Sequence, residues 1–312
     1  FEKKLNNKTK LNGDFSFLSN NYFHKYDTNI SEKINTNDLI FKSKPVITKS
    51  GFYNTYEFKL KNSNSDRKNL KDLKNGNNIY YSGIYQFNTS LPLINSNSIY
   101  QRLLNPKLSL KFSPGDTKDI SKNYNRIDNN NIFDLDRISS SETLEGGFSI
   151  IYGSDYILSN LSNDHEILTF KFANNLRLKE NKNLERNNQL GAKTSNFFTE
   201  ISFSPNKFLE TKYNLSLKNN LQDKSYENFS TELNINNFVT KFDYLNENNS
   251  LQNSYLLNET SYNIDEDKVT LTGISDGGTG AYFFAFKQPT QWATFLPYIG
   301  HPGVLRNAQS GG

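Results

Sequence analysis

The chain contains no cysteine, which excludes disulfides, thiolate chemistry and cysteine-ligated zinc. It also contains no methionine, not even an initiator. The 312 residues are therefore expected to be a mature chain or a fragment whose true beginning is missing. No run approaches the roughly 18 apolar residues of a membrane helix, and no signal peptide is visible. Histidine is scarce: His24, His165 and His301 lie far apart without metal-ligand spacing and read as loop or turn residues.

Basic residues are not concentrated. The net charge of +4 is spread along the chain, so no nucleic-acid face is expected. The densest basic stretch, "DRKNLKDLK" (66–74), includes acids and reads as a solvated loop. Helical periodicity is nearly missing, and "SDRKNLKDLK" (65–74) is its best candidate, a short loop helix. No pair of carboxylates stands out for acid–base work. Asp265, Glu266 and Asp267 read as a turn. "GGTG" (277–280) lacks the Lys-Ser/Thr and the helix of a phosphate loop. The serines of "RISSSE" (137–142) have no base near them. Neither an enzyme nor a bound cofactor or metal is expected.

What the sequence has is alternation. Aromatics make up 14% of the chain, with 24 Phe and 18 Tyr, too many for a disordered segment. In "KLSLKF" (107–112), Leu108, Leu110 and Phe112 alternate with Lys107, Ser109 and Lys111. In "TKYNLSLK" (211–218), Tyr213, Leu215 and Leu217 alternate with Lys212, Asn214, Ser216 and Lys218. Further runs at 55–61, 81–93, 148–156, 167–172, 229–235 and 238–244 follow the same period of two, with Ile84 an exception on the polar side. Between them lie turns and loops rich in Asn, Asp, Ser and Gly, such as "RIDNNN" (126–131) and "KENKNLERNNQ" (179–189). The pattern predicts an all-β antiparallel meander of roughly a dozen strands between residues 10 and 272, with alternating short turns and long polar loops.

A soluble β-sandwich also alternates. Here, however, the apolar set is heavy in Phe, Tyr and Leu and poor in Val, and tyrosine sits near strand ends at Tyr56, Tyr85, Tyr156, Tyr213 and Tyr244. An outer-membrane barrel with lipid outside and water inside accommodates that composition better. Leu108, Leu110, Phe112, Tyr213, Leu215 and Leu217 are then expected to face lipid. Lys107, Ser109, Lys111, Lys212, Asn214, Ser216 and Lys218 are expected to face a wet lumen.

Two segments carry a family resemblance. "LLNPKLSLKFSPGD" (103–116) and "NRIDNNNIFDLDRISSSETLEGGFSIIYGSDY" (125–156) resemble the C-terminal barrel domain of the LptD family of lipopolysaccharide-assembly proteins, also called organic solvent tolerance proteins. The strand motif runs from Pro106 to Pro114. The loop motif is matched by Asp128, Asn131, Ile132, Phe133, Leu135 and Arg137, followed by Glu145 and Gly146. The match is specific over about 50 residues and plausible in strand pattern over about 270. The resemblance implies a partial transmembrane β-barrel over residues 1–273 in the bacterial outer membrane. It implies transport of lipopolysaccharide through a barrel lumen and lateral gate into the outer leaflet, without covalent chemistry. The implied partners are lipopolysaccharide, membrane lipid, an LptE-like plug lipoprotein, and a periplasmic Lpt bridge reached through an N-terminal jellyroll missing from this chain. The alternatives are another outer-membrane porin or transporter barrel, or a secreted β-rich binding or structural module.

After Gly273 the style changes. The last 40 residues hold eight of the 17 glycines, three of the eight prolines and the only tryptophan, Trp292. Residues 274–312 read as a divergent tail with three open explanations: a frame error or chimeric end, a divergent final strand such as "GAYFFAF" (280–286) with a disordered end, or a separate functional segment.

Overall fold

The computed structural model describes residues 2–5, 12–27, 29–70, 76–123, 125–235, 238–248, 253–262, 270–274, 281 and 294–298. Within them the chain is all-β. The strands are β1 (Glu2–Leu5), β2 (Gly13–Asp27), β3 (Ile30–Ser43), β4 (Val46–Ile47), β5 (Tyr53–Lys68), β6 (Gly76–Ser90), β7 (Leu93–Ser96), β8 (Tyr100–Ser113) and β9 (Gly147–Asn160). They continue with β10 (His165–Arg177), β11 (Phe197–Asn206), β12 (Leu209–Leu217), β13 (Lys224–Ile235), β14 (Phe238–Glu247), β15 (Ser254–Tyr262), β16 (Thr270–Ile274) and β17 (Thr294–Tyr298). Fifteen of them form one sheet in the order β1-β2-β3-β5-β6-β8-β9-β10-β11-β12-β13-β14-β15, with β4 on β5 and β7 on β8. Sequential strands pair with sequential strands, the meander that the alternation predicts. Among the described residues no pairing joins β1 to β15, so the sheet has two edges.

The chain divides into two compact units. Unit 1 holds residues 1–232 and 242–258; unit 2 holds 233–241 and 259–312. In unit 2, β16 and β17 pair in parallel, Thr270 opposite Thr294 through Ile274 opposite Tyr298. Of "GAYFFAF" only Ala281 lies within the described residues, and Asp265, Glu266 and Asp267, expected to form a turn, lie outside them together with "GGTG", Trp292 and His301.

Register decides which side chains share a face. Ser109 stands opposite Asn88 and Ile151, and Lys111 opposite Gln86 and Ser149. Leu108 stands opposite Thr89 and Tyr152, and Phe112 opposite Tyr85 and Phe148. Because side chains alternate sides, one face of β8 and its neighbours collects the Lys, Gln, Ser and Asn positions and the other the Leu, Phe and Tyr positions. The two faces are used in the reverse of the soluble arrangement. On the apolar face Leu60, Tyr85, Leu104, Leu108, Phe112, Phe170, Ile201 and Phe203 are between 38% and 50% exposed. On the polar face Lys59, Lys61, Ser65, Arg67, Gln86, Ser109, Lys111, Ser149 and Thr169 are all buried.

Two long loops cover the polar face. Loop A (114–146) joins β8 to β9, and loop B (178–196) joins β10 to β11. They carry their own small core: Ile120, Ile127, Ile132 and Ile138 of loop A and Leu184 and Leu190 of loop B close around Ile151, Ala173 and Phe198 of the strands. A second cluster packs Leu135 and Leu144 on Ile84. The apolar exception on the polar side of β6 is thus a docking point for loop A. Hydrogen bonds tie the loops together: Ile120 N donates to Asn183 O (2.8 Å), Asn183 Nδ2 to Thr117 O (2.8 Å) and Asn181 Nδ2 to Thr117 Oγ1 (2.9 Å).

Three sequence expectations are corrected here. Residues 65–68 belong to β5 and not to a loop helix. Arg67, expected on a solvated loop, is buried and pairs with Glu32 at 2.7 Å and Glu142 at 2.7 Å. His24 lies within β2 between Tyr22 and Tyr26, and His165 opens β10, so neither is a loop residue.

Candidate functional site

The site is the contact between the polar face of the sheet and loops A and B. Its anchor is a four-charge cluster. Arg137 of loop A forms a two-point bridge with Glu145, Nε to Oε2 at 2.7 Å and Nη2 to Oε1 at 2.6 Å. Arg177, the last residue of β10, adds Nη1 to Oε1 at 2.6 Å. Arg137 also donates to Ile132 O (3.2 Å) and to Asn175 Oδ1 (2.9 Å). Lys111 lies beside this group and donates its Nζ to Asp134 O at 2.5 Å. All four charged residues are buried. Burial alone would raise the Glu145 carboxyl; the Arg137, Lys111 and Arg177 charges outweigh it and hold the group well below the usual carboxylate range.

The neighbouring wall grips loop A at successive points. Gln86 of β6 donates to Phe133 O at 2.5 Å, and Lys59 of β5 pairs with Asp136 at 2.7 Å. Lys59 also meets Asp38 of β3 at 2.8 Å, and Lys61 meets the same carboxylate at 3.3 Å. With Glu32, Thr36 and the Ser139–Ser141 turn, these groups line a polar cavity of about 680 Å³. Among the described residues no group of three or more His, Cys, Asp or Glu is placed to hold a metal ion.

The loop residues named from sequence converge on this arrangement. Asp128 and Asn131 form the turn that shapes loop A: Asp128 N donates to Asn131 Oδ1 (2.9 Å) and Asn131 Nδ2 to Arg126 O (2.8 Å). Phe133 packs against the loop core. Lys107 Nζ lies 5.6 Å from the Phe133 ring centre and bridges to Asp155. Gly146 N donates to Thr117 Oγ1 at 2.7 Å, and its carbonyl accepts from Arg177. A Cβ on Gly146 would collide with the Gly115 carbonyl oxygen, so only glycine fits there.

The two alternating sets separate onto opposite faces, but the polar set is not uniformly wet. Ser109, Lys111 and Ser216 are fully buried; Lys107, Asn214 and Lys218 are half-buried; Lys212 is exposed and pairs with Glu210. On the other face Leu108 and Phe112 are exposed, while Leu110, Tyr213, Leu215 and Leu217 are half-buried. Sequence reasoning missed Arg177, Glu185, Asn175 and Asp38. The available signal was the set of apolar exceptions on polar faces, Ile84 and Ile151, which mark where the loops land.

At the loop end of β2, β3 and β5 the apolar face gives way to a hydrogen-bonded group of Ser19, Asn21, Asn35, Asn37, Asn62 and Asn64. Below it on the same face lie Phe15, Phe41 and Phe58, with ring centres 4.7 to 6.3 Å apart. Beyond this group Phe23 of β2 and Tyr81 and Ile79 of β6 lie exposed on the same face, so the group interrupts the apolar band.

No family model matches the chain, and none of the curated proteins matches it.

Proposed function

We propose that the chain is part of an LptD-like outer-membrane β-barrel that passes lipopolysaccharide through a polar lumen to the outer leaflet. The observation that carries the membrane reading is the reversed polarity of the sheet: apolar side chains exposed, charged ones buried. Water would leave that apolar face unsatisfied, whereas lipid is its natural solvent. The strand lengths, up to 16 residues in β5, support strands that cross a bilayer and continue beyond it. The narrower reading rests on loop A, where Asp128, Asn131, Phe133, Arg137, Glu145 and Gly146 form one connected structure. Long loops A and B leave one end of the strands, while the other end has short links such as 161–164 and 207–208. In an outer-membrane barrel the long-loop end faces outward. Lipopolysaccharide, an LptE-like lipoprotein and a periplasmic bridge are the partners of this reading.

The test is depletion of the protein in its own bacterium, followed by surface labelling of newly made lipopolysaccharide. Accumulation of the new material inside the outer membrane is expected. Normal surface delivery without the protein overturns the proposal. Steady ion conductance of the purified barrel in a planar bilayer, with normal delivery, would place it among porins.

A further inference from the structure

The carboxylates buried beneath loops A and B face cations, with one departure. Glu32 faces Arg67, Asp38 faces Lys59 and Lys61, and Glu145 faces Arg137 and Arg177. Glu185 of loop B is as buried as these, at 4% exposure, and among the described residues no cation forms an ion pair with it. Its contacts are neutral. Oε1 accepts from Asn187 N at 3.0 Å, and Oε2 accepts from Asn188 Nδ2. Removing a carboxylate from water without a counter-charge is costly, and two neutral donors do not supply the missing charge.

Glu185 lines a cavity of about 210 Å³ between the two loops. Its polar neighbours there are Asn123, Asn125, Ser139 and Ser140 of loop A and Asn188 of loop B; the remaining wall is aliphatic. We propose that this cavity binds one alkali-metal cation, sodium or potassium, with Glu185 supplying the charge and amide and hydroxyl oxygens of the surrounding residues completing the shell. The charge count selects the class. A single carboxylate balances one positive charge, whereas calcium sites gather several carboxylates. Oxygen donors without sulfur or imidazole suit a hard cation. The volume leaves room for the ion with water in its shell. Ser139 and Ser140 also line the larger cavity beside Lys59 and Lys61, so the serine turn is the wall that separates the site from the open polar side. Ser139 holds a φ of 48° and is itself exposed, which puts the wall on a short turn at the surface. A cation held there joins loop A to loop B, and this role does not depend on the transport reading.

The experiment is thermal unfolding of the full 312-residue chain, refolded in detergent, in sodium, potassium or choline chloride at equal ionic strength and about pH 8.5, where a carboxyl group is ionised. The midpoint is expected to rise with the logarithm of sodium or potassium concentration, as ligand binding to the folded state requires. Choline should have no such effect. Glu185→Gln should abolish the response, and Glu185→Asp, which keeps the charge but shortens the reach, should need about tenfold more cation for the same shift. Equal midpoints in all three salts for the unaltered chain overturn the site, even if a variant fails to fold. An undiminished response in Glu185→Gln overturns it too, because the ion then binds elsewhere.

Discussion

Arg137 and Glu145 lie eight residues apart in a loop whose composition suggested nothing but polarity, yet both are buried and share two short hydrogen bonds. Removing the Glu145 charge leaves Arg137, Arg177 and Lys111 buried together without an anion. Glu145→Gln is expected to destabilise the loops by about 3–5 kcal/mol, the usual cost of breaking a buried pair; denaturant unfolding and limited proteolysis within 114–146 measure it. Gly146→Ala should release the same segment by collision with the Gly115 carbonyl. Two of the buried glutamates, Glu145 and Glu185, also set a pH window. Burial pushes the Glu185 carboxyl up to about 7, above its ordinary value of 4.5. Its contribution is therefore full below pH 4.5 and is lost as the pH rises through about 7. Glu145, held below the ordinary range by Arg137 and its neighbours, contributes above that range and loses its contribution as the pH falls. In choline buffer, unfolding midpoints should pass through a maximum in weakly acidic solution, and Glu185→Gln should flatten the alkaline side. A midpoint that rises steadily from acid to alkali would contradict the Glu185 part.

At the scale of the strand, β8 separates the possible environments. Leu110 lies on the apolar face and is half-buried between its neighbours. If that face meets lipid near the bilayer centre, Leu110→Arg should cost about 2–4 kcal/mol in refolding into vesicles. In a water-facing sheet the same change is nearly neutral, and refolding yield in lipid distinguishes the two. On the other face, Ile84 packs on Leu135 and Leu144. Ile84→Ala should cost about 2–5 kcal/mol, with loop A becoming protease-sensitive while the strands stay intact. The strands themselves were legible because period-two alternation is local. Their ends were less so: β5 runs on to Lys68 through "NSNSDRK", residues poor in β propensity, because Glu32 and Glu142 hold Arg67 and the Asn62–Asn64 rungs pair with β3. Such partners lie too far away in sequence to be read from composition.

At the scale of the molecule, one antiparallel meander has its polar face tied down by two long loops. If the sheet belongs to a closed membrane barrel, as proposed, unheated samples should migrate faster than boiled ones on a detergent gel, and equal migration would sink the barrel reading. Alternation, a property of each residue and its neighbours two away, determined the all-β meander, the two chemically distinct faces and the membership of each. It could not determine what covers them. Ser109, Lys111 and Ser216 were expected to face a wet lumen, and they are buried instead, with Lys111 donating to Asp134 of loop A and Ser216 accepting from Asn196 of loop B. That outcome depends on where loops of 33 and 19 residues land, which is decided by contacts between distant positions: Ile84 with Leu135, Arg177 with Glu145, Phe198 with the isoleucines of loop A. Local periodicity fixes the face a side chain occupies, but only the closing of long loops fixes the solvent that face sees.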